Sequence, residues 1–485
     1  MSCYRLINQT AFVLFIELSV RASLLFEMNA HEESLQAASV ICPLRKETVL
    51  SCLLSLLFLL PCLLSAFAAD RGELQNRRYR AAAKVHDGIL LVRATSQMDA
   101  YEDGLHQAAE FYYLVGLENA LGAFLAIDGA SGESWLFLAS TSVAAGSEVA
   151  PGPEAERLLG IDHVVDISAL RQFLTERAVT PRNLYYTVPF LSLPDLPENI
   201  VGSTNAKAPS WAVVIAKEWP TFHLKDETSG MHEVMAIQSA DEVAALRSAG
   251  KATVSAMKAG LRVVRPGVSQ RTVELAIVDS CWQAGAHGVS YWPIVAAGKN
   301  GVVPQVYSSS LRYDHLNTAM QAGDLIHFDV GCESSHYEGN LGRTVPVSGH
   351  FTDDQRETWN IFIAAYRAGV SVFREGVTEG QVFDAWSTEL LRHRASAKSS
   401  LALRAIESWS KRENDPYWLV HYTHLFPAHV KGPLSAESVI DFAPVASIDG
   451  QGYYLEDMYR ITRNGAELLT PGIPYTAEEI EASMH

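Results

Sequence analysis

The sequence predicts an α/β amino-terminal domain followed by an α+β domain whose helices cover the convex face of a curved antiparallel sheet. Three observations carry this. Up to residue 228, short apolar runs alternate with helical stretches and Gly/Asp turns. Beyond it, one helix–turn–helix pattern occurs twice, 109 residues apart. Between and after those helices lie further runs of strand character, bounded by glycine, proline or asparagine.

Residues 1–68 read as a leader and are set apart from the fold. Arg45 and Lys46 precede VLSCLLSLLFLLPCLLSAFAAD, an uncharged apolar run ending in Ala66-Phe67-Ala68, a small-x-small cleavage signature. The pattern predicts an exported protein, secreted or periplasmic. The run also approaches the about 20 residues that span a bilayer, so an uncleaved anchor is the competing reading and the one membrane contact expected. Upstream, AFVLFIELSVRASLLF is interrupted by Glu17 and Arg21, and Met28 is a second candidate start.

The amino-terminal domain, residues 69–228, contains GILLV (88–92), the amphipathic HQAAEFYYLVGL (106–117), GAFLAID (122–128) and SWLFLAS (134–140). These read as strand, helix, strand and strand. KEWPTFHLKDETSG (217–230) is polar, without a consistent period, and is assigned as the linker.

The second domain, residues 229–485, opens on a capping box, Ser239 with Glu242, ahead of a long helix with Val243, Leu246, Val254, Met257 and Leu261 on one face. The end of that helix, AMKAGLRVVRPGVSQRTVE (256–274), returns as AYRAGVSVFREGVTEGQVF (365–383). Gly260 matches Gly369, Arg265 matches Arg374 and Gly267 matches Gly376, as expected of a domain made of two similar halves. Strands are expected at YWPIVAAG (291–298), DLIHFDVG (324–331), RTVPVSG (343–349), SVIDFAPV (438–445) and YYLEDMYRITRNG (453–465).

Composition excludes some functions. With 485 residues, 48% hydrophobic and 19% charged, the chain can bury two or three cores. Its 55 acidic against 38 basic side chains, net charge −17, argue against nucleic acid as a partner. Four of the six cysteines lie in the leader. The remaining Cys281 and Cys332 are too few for a disulfide framework and are expected as two free, buried thiols.

The stretch FDVGCESSHYEGNLGRT (328–344) begins with Asp329 and reaches Asn340 eleven residues on. Asp329, Gly331, Tyr337, Arg343 and Thr344, with the flanking GDLIHFD and GHFTDDQRETW, resemble the pita-bread family of creatinase, aminopeptidase P and prolidase. EDGLHQAAEFYYLVGLENALGAFLAID also resembles that family's amino-terminal domain. The resemblance implies two divalent ions, ~3.5 to 4 Å apart, held by Asp, Asp, His, Glu and Glu around a nucleophilic water.

Carried over by position, Asp329 matches the first aspartate and Glu456 the last glutamate, while Asn340 replaces the bridging aspartate. Ala443 falls where the other glutamate belongs, and that ligand is expected to be lost. HYTHLFPAHVKG offers His421 and His424 as alternative ligands, His421 being paired with Asp329, Asn340 and Glu456 in the candidate metal set. His424 and His429 are candidate catalytic histidines, with His429 beside substrate. A further histidine implied within GKNGVVPQVYSSS is replaced by Gln305 or Val306, although Asn300 and Tyr307 fit.

Two carboxylates of an implied four cannot balance two dications, so at most one ion, Mn, Co or Zn, is expected. His336, Glu338 and Asn340 share one face of an extended strand, and their expected setting is a solvated hairpin tip. His327 is expected to be packed and Cys332 to be a buried thiol, an active thiol being the alternative. The resemblance implies a hydrolase of Xaa-Pro peptides, or of a small amidino or amide substrate as in metal-free creatinase. The alternative is an inactive member that binds peptide or a partner protein. A homodimer is implied likewise.

Overall fold

A computed structural model describes residues 71–95, 107–138, 149–188, 208–303, 305–306, 318–412, 419–423, 428–430 and 432–484. The leader, Tyr307 and His424 lie outside the described residues.

The first domain runs α1 (Arg71–Lys84), β1 (Gly88–Arg93), α2 (Ala109–Val115), β2 (Phe124–Asp128), β3 (Ser134–Leu138), α3 (Pro153–Leu159), β4 (His163–Asp166), α4 (Leu170–Arg177), β5 (Arg182–Tyr186), α5 (Ser210–Glu218), β6 (Phe222–Asp226) and α6 (Thr228–Met235). Its sheet has the order β4-β3-β2-β1-β5-β6. The β1–β2 and β2–β3 pairs are antiparallel; β3–β4, β1–β5 and β5–β6 are parallel. GILLV is buried at every position, as a central strand covered on both faces requires. The stretch assigned as linker is in fact structured: it holds the end of α5 and the edge strand β6. Phe222 is buried while the residues after it are largely exposed, which explains the weak period.

The second domain runs α7 (Ala240–Val263), α8 (Gln270–Gln283), β7 (Gly288–Val289), β8 (Ile294–Ala297), β9 (Leu325–Val330), β10 (Cys332–Ser334), β11 (Tyr337–Glu338), β12 (Leu341–Pro346), α9 (Asp353–Ser371), α10 (Glu379–His393), α11 (Ser400–Trp409), β13 (Val420–Tyr422), β14 (Ala428–His429), β15 (Val439–Phe442), β16 (Val445–Ile448), β17 (Gln451–Thr462), β18 (Gly465–Leu468) and α12 (Ala477–Ser483). The expected capping box forms at Ser239 and Glu242. The repeat is structural as well: Gly267 and Gly376 both adopt φ near +85°, between α7 and α8 and between α9 and α10. A left-handed turn residue favours glycine because a Cβ there is strained.

The main sheet follows β14-β13-β15-β17-β12-β9-β8, with β16 and β18 also on β17. Every one of its recorded pairs is antiparallel. β15 and β16 lie in one register along β17, interrupted at Ala443 and Pro444. Proline has no N–H to give the ladder. Alternation divides β12 and β17 between two environments. Arg343 and Asp457 pair at 3.1 Å, fully buried, where Tyr475 and Thr470 also donate to the carboxylate. The neighbours Gly342 and Glu456, directly opposite each other, face the other side and belong to the site.

Two devices fix the β10–β11 hairpin. Tyr337 donates to Glu242 at 3.0 Å, and Glu242 is in turn paired with Arg77 of the first domain at 3.1 Å, all buried. At the turn, Ser335 and His336 both take positive φ. His336 is not the solvated tip expected: its ring packs against Tyr112 at 4.1 Å between centroids, tilted by 38°, and pairs with Glu118 at 3.1 Å. Cys281 and Cys332 are joined in a disulfide between α8 and β10, both fully buried. This corrects the expectation of two free thiols, because docking α8 against the hairpin brings their Cα atoms to 5.5 Å, within disulfide reach.

Candidate metal centre

The site is built from rows of residues that antiparallel pairing sets side by side. Asp329 on β9 lies across from Gly342 on β12, and Gly342 across from Glu456 on β17. A Cβ on Gly342 would come within 2.1 Å of the Tyr454 ring, so the missing side chain is what lets that ring lie between the two acids. The Tyr454 hydroxyl donates to Glu456, and its ring stacks on His327 at 4.1 Å. His327 is packed as expected; burial pushes its imidazole down to about 3, so the ring is neutral.

In a second row, Asp441 on β15 faces His421 on β13, and the backbone of His421 faces that of His429 on β14. His421, Asp441 and Glu456 are buried, and they are the group of His, Cys, Asp and Glu among the described residues whose ligand atoms all lie within 4.8 Å of one another. His421 Nε2 is 3.1 Å from Glu456 Oε1, and Nδ1 is 3.6 Å from Asp441 Oδ2. Asn340 joins them: its Nδ2 donates to Asp441 Oδ2 at 3.1 Å and to Glu456 Oε1 at 2.9 Å. The Tyr291 hydroxyl sits between Asp329 Oδ1 and Asn340 Oδ1, within hydrogen-bond reach of both.

Asp441 is the residue that sequence reasoning missed. The ligand expected at 443 is absent there, since Ala443 is packed with Val445 and Tyr454. The acid stands two residues earlier, so three carboxylates surround this site, not two. Alternation along β15 was the signal, since residues 441 and 443 fall on the same side of an extended chain. Tyr291 and Tyr454 were also missed; Tyr454, two residues before Glu456, carried the same signal. Cys332 is closed as a nucleophile by its disulfide. His424 lies outside the described residues, and His429 is placed only through its backbone, on β14. Gln305 is exposed and Val306 buried, so neither supplies an imidazole.

The electrostatics report a shortage of positive charge. Burial, then Glu456, holds both Asp329 and Asp441 well above the usual carboxylate range. Burial and then Glu333 push Glu338 up to about 8. One imidazole with carboxylate oxygens suits Mn, Co or Zn. The three ligand atoms converge where the Asn340 amide now donates, so a cation fits that position once the amide presents its oxygen instead. Asn340 and Asp329 would complete the set.

Residues 244–463 match metallopeptidase family M24. The Xaa-Pro aminopeptidase of Escherichia coli is 29% identical over 277 residues, covering 52% of this chain and 60% of that protein. That of Haemophilus influenzae is 24% identical, covering 53% and 62%. The chain thus spans about three-fifths of the length of these curated relatives. Among solved structures, aminopeptidase P from E. coli superposes with a TM-score of 0.69 at 23% identity, covering 86% of this chain and 98% of that one. Proline aminopeptidase P II from Yersinia pestis gives 0.67 at 24%, covering 86% and 99%. These likenesses show the pita-bread fold.

Proposed function

The chain belongs to the M24 family of creatinase, aminopeptidase P and prolidase, and on that premise we propose that it is an exported hydrolase of Xaa-Pro amino termini or related C–N bonds, working with no more than one divalent ion. The observation that carries the reading is the convergence of His421, Asp441 and Glu456 on one point. His421, Asp441 and Glu456 would hold a divalent ion, which would supply polarisation of a carbonyl and activation of water there. The chain's own residues supply the rest: Tyr454 fixes Glu456, Tyr291 fixes Asp329 and Asn340, and the peptide is assigned to the side of the half-buried Asp329 and Asn340. His429, whose backbone pairs with that of His421, is assigned to substrate, the role the resemblance implies for it. The buried disulfide supports export, because such bonds persist in oxidising compartments.

A panel of Xaa-Pro peptides tests this. Cleavage that depends on added Mn, Co or Zn and disappears in Glu456→Gln and His421→Ala is the expected result. A non-catalytic binder of peptide or protein is the second reading. It is favoured by the Asn340 amide, which donates to Asp441 Oδ2 and Glu456 Oε1 without an ion. Peptide binding with no turnover under any metal would select it.

A further inference from the structure

We propose that Glu338, together with the free oxygen of Asp441, receives the α-ammonium group of a peptide amino terminus, and so selects substrates with an unblocked first residue. This rests on the peptidase reading above.

The placement of Glu338 follows from its neighbours. Tyr337 reaches Glu242 on α7, and a Cβ on Gly339 would meet Thr253 Oγ1 at 2.3 Å and the Ala249 carbonyl at 2.7 Å, also on α7. Residues 337 and 339 therefore face the helix. Glu338 and Asn340, alternating with them, face the opposite side, where Asn340 meets Asp441 and Glu456. Glu338 is half-buried and lies close enough for its charge to act on Asp441. Among the described residues it makes no hydrogen bond and no ion pair.

A second, independent feature points to a missing donor. Asp441 is fully buried; its Oδ2 accepts from Asn340, while among the described residues its Oδ1 has no hydrogen-bond partner. A buried acceptor left unpaired costs about 1 to 3 kcal/mol, so natural sites seldom keep one unless something fills it. Oδ2 belongs to the convergence point with His421 and Glu456, which leaves Oδ1 for another group. An ammonium carries three donors and one positive charge. It suits two carboxylates that, among the described residues, have no Lys or Arg partner and that lie within reach of each other's charge.

The test compares Ala-Pro-Ala with N-acetyl-Ala-Pro-Ala by calorimetric titration of wild type and Glu338→Gln, with metal content measured on both proteins. Wild type is expected to prefer the free amine by roughly tenfold or more, the size of a charge-assisted hydrogen bond. In Glu338→Gln the preference should collapse to within about threefold, with affinity for the acetylated peptide and the metal content unchanged, while Glu338→Asp keeps part of it. A preference that survives in Glu338→Gln overturns the proposal. So does loss of an ion from that variant, which would make Glu338 a metal ligand. If wild type binds neither peptide, the peptidase reading falls first and this inference with it.

Discussion

Asn340 donates to Asp441 across 3.1 Å, from the position where the resemblance implies a bridging aspartate, and so places a neutral N–H between two buried carboxylates. The substitution lowers the negative charge of the site and supplies a hydrogen-bond donor in one change. Asn340→Asp reverses both. Thermal melts should show the variant less stable than wild type by roughly 2 to 4 kcal/mol in chelator, from an uncompensated buried charge. Excess Mn should raise its melting point more than that of wild type.

The space above Gly342 is filled by the Tyr454 ring, which orients Glu456. Gly342→Ala should displace that ring and destabilise the protein by about 1 to 3 kcal/mol. Denaturant unfolding measures this, and a midpoint equal to wild type would mean that the ring has room to move.

The Cys281–Cys332 bond closes a loop across 51 positions of sequence between α8 and the hairpin that leads to Asn340. Cys281→Ser, or reduction of wild type, should lower stability by roughly 4 kcal/mol. Unfolding with and without reductant checks it, and Cys281→Ser should be insensitive to reductant.

On α2, burial pushes Glu110 up from 4.5 to about 7. A carboxyl raised on folding holds its proton more tightly in the folded state. It costs nothing below its unfolded value, and the cost grows as pH rises towards 7 and is complete above it. Glu110→Gln should therefore stabilise the protein by about 3 kcal/mol at most near pH 8 and have little effect near pH 4. Melting temperatures across that range give the comparison.

The sequence disclosed what depends on local pattern. The strands around Asp329, Arg343 and Glu456, the capping box at Ser239 and the paired turns at Gly267 and Gly376 all follow from periodicity and turn chemistry. Asp441 escaped because the family pattern implies an acid at position 443, whereas this chain carries it two residues earlier on the same side of the strand. The disulfide and the His336 contacts escaped for another reason: each joins segments that meet only after helices and domains dock, and nothing in the spacing of Cys281 and Cys332, or of Tyr112 and His336, encodes that meeting.

The most direct measurement is elemental analysis of the purified protein after equilibration with Mn, Co or Zn. With three carboxylates, one imidazole and an amide at the centre, we predict no more than one tightly held ion per chain. Two tightly held ions per chain would contradict the single-ion reading of His421, Asp441 and Glu456.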